Sequence, residues 1–276
     1  MEPPSISIVT PSYNQAEFIE ETIQSVLSQG YPNLEYLIID GGSTDSSIGI
    51  IRKYSDQLAH WESADDNGQS DAINKGFRRS TGEIVAFLNS DDRYCPGALA
   101  KVSTLFLENP EWKWLCGNVL FTDAEGAILS RKKPVYSPFI LRTASSSLLQ
   151  PGVFLRRSIL EDVGLIREDF HAVMDQEWFC RIADRYPPAI VDVDLALFRW
   201  HAESKSSSSK NSRQYQRYVQ EKAMIGRKYF PSLGPAYDRS PRMTIFVLEQ
   251  VARLAKLSKR TRMLWRRRKL GTGGIK

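Results

Sequence analysis

The 276-residue sequence lacks several features that would assign it to whole classes of protein. It has only three cysteines, far apart and in no CxxC pair, which argues against a disulfide scaffold or a structural zinc site. No apolar run approaches the roughly 18 residues that a spanning helix needs. No basic-then-apolar leader opens the chain. We therefore predict a soluble, cytoplasmic protein that folds in a reducing compartment.

The glycine-rich phosphate loops of two large enzyme classes are also missing. The first predicted strand leads into Thr10-Pro11-Ser12-Tyr13-Asn14, with neither GxGxxG nor GxxxxGK[ST] at that turn. This argues against a Rossmann dinucleotide enzyme and against a P-loop kinase or ATPase.

Charge is unevenly distributed along the chain, whose net charge is +5. Residues 242–276 carry eleven Lys and Arg against one acid, Glu249, whereas residues 1–241 have a net charge of −5. A nucleic-acid-binding body would show the opposite distribution, so we expect no nucleic acid partner. Apolar residues make up 42% and charged residues 25%, which is typical of globular proteins.

Strand-like and helix-like patterns alternate through the first hundred residues. Short β-rich runs at 6–10, 34–39 and 84–88 are separated by segments with helical spacing of apolar residues. This alternation predicts an α/β fold with a mostly parallel central sheet and helices on both faces. After residue 110 the pattern is mixed and includes a predicted hairpin and a predicted strand at 189–199.

Three polar clusters follow the three predicted strands, at residues 11–14, 40–45 and 89–92. Ligands of parallel α/β sheets bind at the carboxyl ends of the strands, so the clusters are expected to line one crevice. Taken singly, each cluster could also be an ordinary surface turn. Together they favour a site.

Asp91 and Asp92 are the most distinctive local feature. Adjacent carboxylates after a buried strand repel each other, so a counter-cation there is favourable. Carboxylate oxygens at the rim of a crevice suit Mn²⁺ or Mg²⁺. The alternative is helix capping before Pro96 and Gly97, with solvated charges.

The segments 8–14, 37–45, 66–76 and 81–92 resemble inverting glycosyltransferases of family 2, of the bacterial surface-polysaccharide type, which have the GT-A fold. The resemblance is specific over residues 5–100 and traceable to about residue 206. It implies metal-dependent inverting transfer from a nucleotide sugar, most often a UDP-sugar, to a saccharide or lipid-linked acceptor.

The resemblance also implies roles for individual residues. It assigns Asp40 to the contact with the nucleotide base. Many relatives have an acid at the position of Asn89, so the contacts with the ribose and the metal fall to Asp91 and Asp92 in this chain. The other expected nucleotide-sugar contacts are Pro11, Ser12, Tyr13, Asn14, Asn67, Gly68 and Asn74.

Two later residues complete the implied site. Asp175 falls at the position of the catalytic base, although an N-cap of the helix predicted from Gln176 would equally explain an acid there. His201 lies where the family has a histidine that reaches the metal or the diphosphate, and a structural histidine is the alternative.

Two other functions stay open at this point. A sugar nucleotidyltransferase shares a similar α/β core but should have a Gly-rich loop bearing Arg or Lys after the first strand, which this chain lacks. A catalytically inactive carbohydrate-binding relative is disfavoured because the acids at 40, 91, 92 and 175 are all present.

The sequence predicts a catalytic domain at residues 1–206, with a nucleotide-binding part at about 1–110 and an acceptor-binding part at 111–206. A helical, basic extension follows at 207–276, and the serine-rich residues 202–213 are expected to form a loop. Within the extension, residues 243–257 are expected to pack on the domain. Residues 259–269 are expected to contact the inner face of a membrane peripherally.

Overall fold

One mixed sheet of nine strands organises the chain in the computed structural model, which describes residues 2–143, 147–201 and 212–271 and side chains up to residue 258. The strands are β1 (Ile6–Ser12), β2 (Leu34–Asp40), β3 (His60–Ser63), β4 (Ile84–Phe87), β5 (Arg93–Tyr94), β6 (Trp114–Thr122), β7 (Ile128–Lys132), β8 (Val153–Arg156) and β9 (Ala189–Arg199). The helices are α1 (Ile19–Leu27), α2 (Ser47–Lys53), α3 (Gln69–Arg79), α4 (Ala98–Glu108), α5 (Pro138–Thr143), α6 (Ser158–Asp162), α7 (Met174–Arg185), α8 (Arg213–Tyr229), α9 (Gly234–Arg239) and α10 (Pro241–Gly271).

The strand order is β3-β2-β1-β4-β8-β6-β9-β5, with β7 paired to β6. Strands β1 to β4 pair in parallel, as the alternating pattern predicts. Strand β8 is antiparallel to both β4 and β6, and β7 is antiparallel to β6 because a short turn joins the two. The α/β class is therefore confirmed, and parallel pairing predominates only in the N-terminal half.

Two apolar layers cover the two faces of the sheet. Strand β1 contributes Ile6 and Ile8 to one layer and Val9 to the other, because successive side chains of a strand point to opposite faces. Helices α1 and α4 pack on the first face, and α3 and α7 pack on the second. This arrangement places the loops that follow β1, β2 and β4 at one end of the sheet.

The C-terminal helix α10 packs on α5, α8 and α9. Only one side of its first half is buried, through Ile245 and Ala252. The expectation that residues 243–257 pack on the domain is wrong for Met243, Phe246, Val247, Val251 and Leu254, which are 46–67% exposed. They lie on the side of the helix opposite Ala252, where no described element covers them.

Several expectations fall partly outside the described residues. Residues 202–211 of the serine-rich segment lie outside them, as do the side chains of 259–269. The boundary at residue 206 between the predicted catalytic domain and the C-terminal extension also lies there, and it stays a prediction. Within the described part of the chain, no helix is long and apolar enough to cross a membrane.

Candidate functional site

A cleft of about 860 Å³ opens at the carboxyl ends of β1, β2 and β4. This volume is in the range of small-molecule sites. The three polar clusters predicted from the sequence meet here, joined by the loop after β3. The lining residues are Pro11, Ser12, Tyr13, Gln15, Gly41, Gly42, Thr44, Asp65, Asp66, Gly68, Gln69, Ala72, Asn89, Ser90, Asp91, Phe198 and His201.

Asn14 joins the loop after β1 to the loop after β2. Its backbone N–H donates to Ser43 Oγ at 2.8 Å, and its Oδ1 accepts from the Thr44 N–H at 2.8 Å. Asn14 adopts φ +50°, a left-handed conformation that asparagine tolerates better than most residues. Asn14 therefore shapes the wall without lining it, while the neighbouring Tyr13 ring is 60% exposed at the cleft.

Asp40 is fully buried at the end of β2 and does not line the cleft. Its carboxylate accepts hydrogen bonds from the Ser43 N–H at 2.8 Å, from Ser43 Oγ at 2.5 Å and from Ser63 Oγ at 2.7 Å. These bonds fix the 41–43 turn. The expected contact of Asp40 with the base stays a prediction. For that contact to form, the hydrogen bonds of Asp40 to Ser43 and Ser63 would have to rearrange.

Asp65 and Asp66 line the cleft, although the sequence analysis did not select them. A Cβ on Gly41 would lie 2.7 Å from Asp66 Oδ2, and one on Gly42 would lie 2.6 Å from Asp65 Oδ1. Both glycines therefore leave room for a carboxylate. The sequence shows two adjacent acids here as at Asp91 and Asp92, but the strand that precedes them, β3, is too short to be recognised from its pattern.

The loop before α3 contains two expected donor contacts, Asn67 and Gly68. Gly68 lines the cleft with φ +102°, and its N–H donates to Asp66 Oδ1 at 2.7 Å. Asn67 is exposed outside the lining, and its N–H donates to Asp71. The loop thus presents the N-terminus of α3 to the cleft.

Asn74 is not brought to the cleft. It is buried inside α3, where its Nδ2 donates to Ile166 O at 2.8 Å and its Oδ1 accepts from the Ile166 N–H at 3.1 Å. The amide is thereby committed to holding the chain before α7. Its expected donor contact has no support in this geometry.

Asp91 and His201 meet at the cleft, with 3.1 Å between Asp91 Oδ2 and His201 Nε2. The histidine ring also packs on Phe18, with 4.7 Å between the ring centroids. Nearby, Asn89 Oδ1 accepts from Gln69 Nε2 at 2.7 Å, which joins the end of β4 to α3.

Asp92 lies beneath the cleft and is fully buried. Its Oδ1 accepts from the Arg199 N–H at 3.1 Å, whereas its Oδ2 has no hydrogen-bond partner. Burial, with the charge of Asp91 added, raises the pKa of Asp92 well above its ordinary value. Of the three expected metal ligands, the structure places Asp91 and His201 at the cleft and Asp92 behind them.

The residues at the cleft fit a divalent cation such as Mn²⁺ or Mg²⁺. In the described part of the chain no three His, Cys, Asp or Glu side chains cluster as a closed metal site. Such ions commonly take one or two protein ligands and complete the octahedron with phosphate and water oxygens. Asp91 Oδ2 and His201 Nε2 face each other across a hydrogen bond of 3.1 Å, which a cation bound by both atoms would replace. Oδ2 of the buried Asp92, which has no hydrogen-bond partner, is a further oxygen that a cation or a proton would satisfy.

Asp175 occupies the second position of α7, with Val173 as the N-cap residue. The alternative interpretation of Asp175 as the N-cap is therefore wrong, because the helix begins earlier than Gln176. Asp175 is half-buried and does not line the cleft. The segment leading to it contacts α3, where Ser70 Oγ donates to Phe170 O at 3.1 Å.

Helix α8 holds the same segment from the other side. The buried Glu221 carboxylate accepts three backbone N–H bonds, from His171 at 2.9 Å, Ala172 at 2.8 Å and Val173 at 3.1 Å. No local pattern indicates this contact, because the partners lie about fifty positions apart.

Comparison with known proteins identifies the family. The model of "Glycosyl transferase family 2" matches residues 7–164. The O-antigen biosynthesis protein RfbC of Myxococcus xanthus is 30% identical over 220 residues, which cover 76% of this chain and 17% of RfbC. The chain spans less than half the length of the first curated relatives that it matches.

Two solved structures have a similar fold. S. aureus TarS 1-349 in complex with UDP-GlcNAc superposes with a TM-score of 0.61 and 19% identity, covering 81% of this chain and 66% of that one. The mannosyltransferase PcManGT of Pyrobaculum calidifontis, in complex with GDP-Man and Mn²⁺, has a TM-score of 0.60 and 21% identity, covering 94% of this chain and 76% of that one. At these identities the similarity establishes the fold, which is GT-A-like as the resemblance implied.

Proposed function

Because the chain belongs to glycosyl transferase family 2, we propose that it transfers a sugar from a nucleotide-diphosphate donor, a UDP-sugar, to an acceptor hydroxyl with inversion. The observation that carries the proposal is the cleft at the carboxyl ends of β1, β2 and β4. It combines an exposed aromatic ring, a helix N-terminus and the Asp91–His201 pair in one volume large enough for a nucleotide sugar.

Charge in the cleft supports the proposed metal dependence. Among the described residues that line it are Asp65, Asp66 and Asp91, but no Lys or Arg. A diphosphate brought into such a site meets like charge, which costs free energy unless a cation neutralises it. Asp91 and His201 would hold that Mn²⁺ or Mg²⁺. When bound, the ion would stabilise the negative charge of the departing nucleotide.

Each wall of the cleft has a role in the proposal. The Tyr13 ring would stack on the base, with Pro11, Ser12 and the loop fixed by Asn14 and Asp40 around it. The N-terminus of α3, which begins at Gln69 beside Gly68, would face the phosphates, because a helix N-terminus favours an anion. These assignments follow the positions of the side chains around one volume.

Asp175 is the proposed general base. It would accept the proton of the acceptor hydroxyl as the oxygen attacks the anomeric carbon on the face opposite the leaving nucleotide, so that configuration inverts. The contact of Phe170 with Ser70 sets the start of α7 beside α3, on the side of the sheet where the cleft opens. Asp175 does not line the cleft, and in this proposal the acceptor would bind between Asp175 and the donor.

The proposed acceptor is a saccharide or a lipid-linked saccharide in polysaccharide or glycolipid assembly, supported by the similarity to an O-antigen biosynthesis protein. The proposal includes a cytoplasmic location, peripheral at the inner face of the membrane. Contact through residues 259–269 is part of it, as an expectation drawn from their sequence.

The test is nucleotide release from a panel of nucleotide sugars, with and without Mn²⁺. We expect Mn²⁺-dependent release of UDP from at least one UDP-sugar. Asp91→Asn should lose most of the UDP release that Mn²⁺ stimulates. Asp175→Asn should retain UDP binding and lose turnover. Glu161→Gln, a change at an exposed acid of α6, is the control and should behave as wild type.

Each contrary outcome identifies the part that fails. Full activity of Asp175→Asn would show that another group is the base. Formation of a UDP-sugar from UTP and a sugar 1-phosphate would indicate a nucleotidyltransferase. Binding of saccharide without turnover of any nucleotide sugar would indicate an inactive relative.

A further inference from the structure

Helix α10 presents a row of large apolar side chains to solvent. Each is 46–67% exposed, and together they define the α10 stripe: Met243, Phe246, Val247, Val251, Leu254 and Leu257. The exposed large apolar side chains elsewhere in the described structure are fewer and scattered, just after β1, in β7, in α8 and just after β9. A contiguous exposed apolar surface of this kind marks an interaction site.

The spacing of the stripe is helical. Its members recur at intervals of three and four residues over 15 positions, so they form one face about 21 Å long at 1.5 Å per residue. The opposite face is the one that packs on the protein, through the buried Ile245 and Ala252. Because α10 is already anchored by that face, the stripe is available to a partner without any rearrangement of the fold.

Charge indicates what the partner is. Arg242 and Arg253 are exposed along one edge of the stripe, and Lys256 follows one turn later. Over residues 242–276 the sequence carries eleven Lys and Arg against the single Glu249, while the rest of the chain is net acidic. An apolar face flanked by such an excess of basic residues is complementary to an anionic lipid surface.

The same charges disfavour the other simple occupant, a second copy of the chain. Pairing two stripes would bring the exposed Arg242 and Arg253 of both copies into one interface, where they would repel each other. An anionic bilayer instead neutralises the basic residues and receives the apolar side chains at the level of its headgroups.

We propose that the α10 stripe docks on an anionic membrane surface, with α10 lying in the plane of the interface. Binding requires no spanning segment, in agreement with the absence of one among the described helices. The proposal deepens the peripheral membrane location included in the proposed function. It does not depend on the identity of the donor or on catalysis, so vesicle binding can fail or succeed separately from sugar transfer. If both hold, docking would bring the enzyme to the surface that contains lipid-linked acceptors.

The experiment is co-sedimentation of the full chain with vesicles of neutral phosphatidylcholine, and with vesicles that also contain phosphatidylglycerol. Three wild-type results are expected: binding to the anionic vesicles, little binding to the neutral ones, and weaker binding at high salt. The triple variant Phe246→Gln, Val251→Gln, Leu254→Gln should lose roughly tenfold or more in partition to anionic vesicles. Its net charge is unchanged, so the loss would measure the apolar contact.

A matched control replaces three exposed apolar side chains elsewhere, as Ile128→Gln, Leu129→Gln and Met224→Gln. This variant should bind like wild type. The single variant Leu254→Gln, at the most exposed member of the stripe, guards against misfolding of the triple variant and should show a smaller loss in the same direction.

Three outcomes would overturn the proposal. The triple variant could bind as tightly as wild type, which would assign binding to the basic end alone. Wild type could bind neutral and anionic vesicles equally or bind neither. Sedimentation velocity without lipid could show a dimer that the triple variant abolishes, which would make the stripe a contact between two copies.

Discussion

Gly41 illustrates how a residue without a side chain can shape a binding site. A Cβ at this position would lie 2.7 Å from Oδ2 and 3.0 Å from Cγ of Asp66. Asp66 would have to move, and the bond that it accepts from the Gly68 N–H at the start of α3 would weaken. We expect Gly41→Ala to lower affinity for UDP roughly tenfold, corresponding to the loss of one hydrogen bond to a charged group. Calorimetric titration of the variant measures this directly.

Gly49 provides the matched control for that experiment. It lies within α2, and nothing is found within 4 Å of a Cβ built on it. Gly49→Ala should leave UDP affinity unchanged and raise the free energy of unfolding by about 0.5–1 kcal/mol, since alanine is the better helix former. Equal UDP affinity in both variants would show that the approach of Asp66 to Gly41 does not matter for donor binding.

Lys222 is a buried cation outside the cleft. Its ammonium donates to Thr143 O at 2.8 Å and to Gln176 Oε1 at 3.1 Å. Burial lowers its pKa to about 8, against the opposing charges of Glu249 and Asp175. Between pH 8 and the unfolded pKa of 10.5, the unfolded chain keeps a proton that the folded protein has released. Raising the pH therefore favours the folded state.

The resulting prediction compares wild type with Lys222→Met in urea unfolding. From pH 7 to pH 9.5 the free energy of unfolding of wild type should rise by about 2 kcal/mol relative to that of the variant. The comparison cancels the titration of the groups that both proteins share. Parallel curves would show that Lys222 has a similar pKa in the two states.

At the scale of elements, α8 connects the C-terminal region to the proposed base. Glu221 accepts three backbone N–H bonds from residues 171–173, immediately before α7 and Asp175. Glu221 is therefore a positioning residue for Asp175. We expect Glu221→Ala to reduce the rate of transfer roughly tenfold while UDP affinity stays the same, since the cleft is built by other loops. Unsatisfied N–H groups should also lower the free energy of unfolding by about 2 kcal/mol.

Two comparisons distinguish positioning from general destabilisation. Glu221→Gln keeps the shape and one acceptor oxygen, so it should recover part of the transfer rate. Gln220→Ala changes an exposed neighbour on the same helix and should have neither effect. If Glu221→Ala transferred sugar as fast as wild type under conditions where both are folded, α8 would have no part in positioning Asp175.

The elements that the sequence predicted best are those with strong local patterns. The strand predicted at 189–199 is β9, and the segments with helical spacing between the strands predicted at 6–10, 34–39 and 84–88 contain α1, α2 and α3. Short strands such as β3, β5 and β8 carry too few residues to show a period, so the mixed half of the sheet could not be predicted in detail. The meeting of three polar loops at one edge was predictable because parallel topology requires it.

Side-chain direction was the part of the site that the sequence could not determine. Asp40 and Asn74 belong to motifs near the cleft, yet tertiary partners engage both of them. For Asn74 the partner lies about ninety positions away, at Ile166. Asp65 and Asp66 are adjacent acids like Asp91 and Asp92, but they were not selected because the strand before them is too short to be recognised from the sequence. The apolar side of α10 was identified correctly as helical, but periodicity alone does not tell whether an apolar face meets the protein or a partner.

For the whole molecule, charge and topology give a consistent account. A net-acidic body carries a cleft with acidic residues, and a basic segment follows at the C-terminal end. In the proposed function the cleft would bind an anionic donor together with a cation, whereas the α10 stripe with its flanking arginines is proposed to bind an anionic surface. The two sites would thus bind two different anions, through a metal in one case and through basic side chains in the other.

The most direct test of the central proposal is calorimetric titration of the wild-type protein and of Asp91→Asn with UDP, each with and without Mn²⁺. The account predicts that wild type binds UDP tightly only when Mn²⁺ is present. Asp91→Asn should lose most of the gain that Mn²⁺ gives. UDP binding that is equally strong without Mn²⁺ and unaffected by Asp91→Asn would contradict a metal-bridged diphosphate at the cleft, and failure of wild type to bind UDP under any condition would contradict the proposed donor.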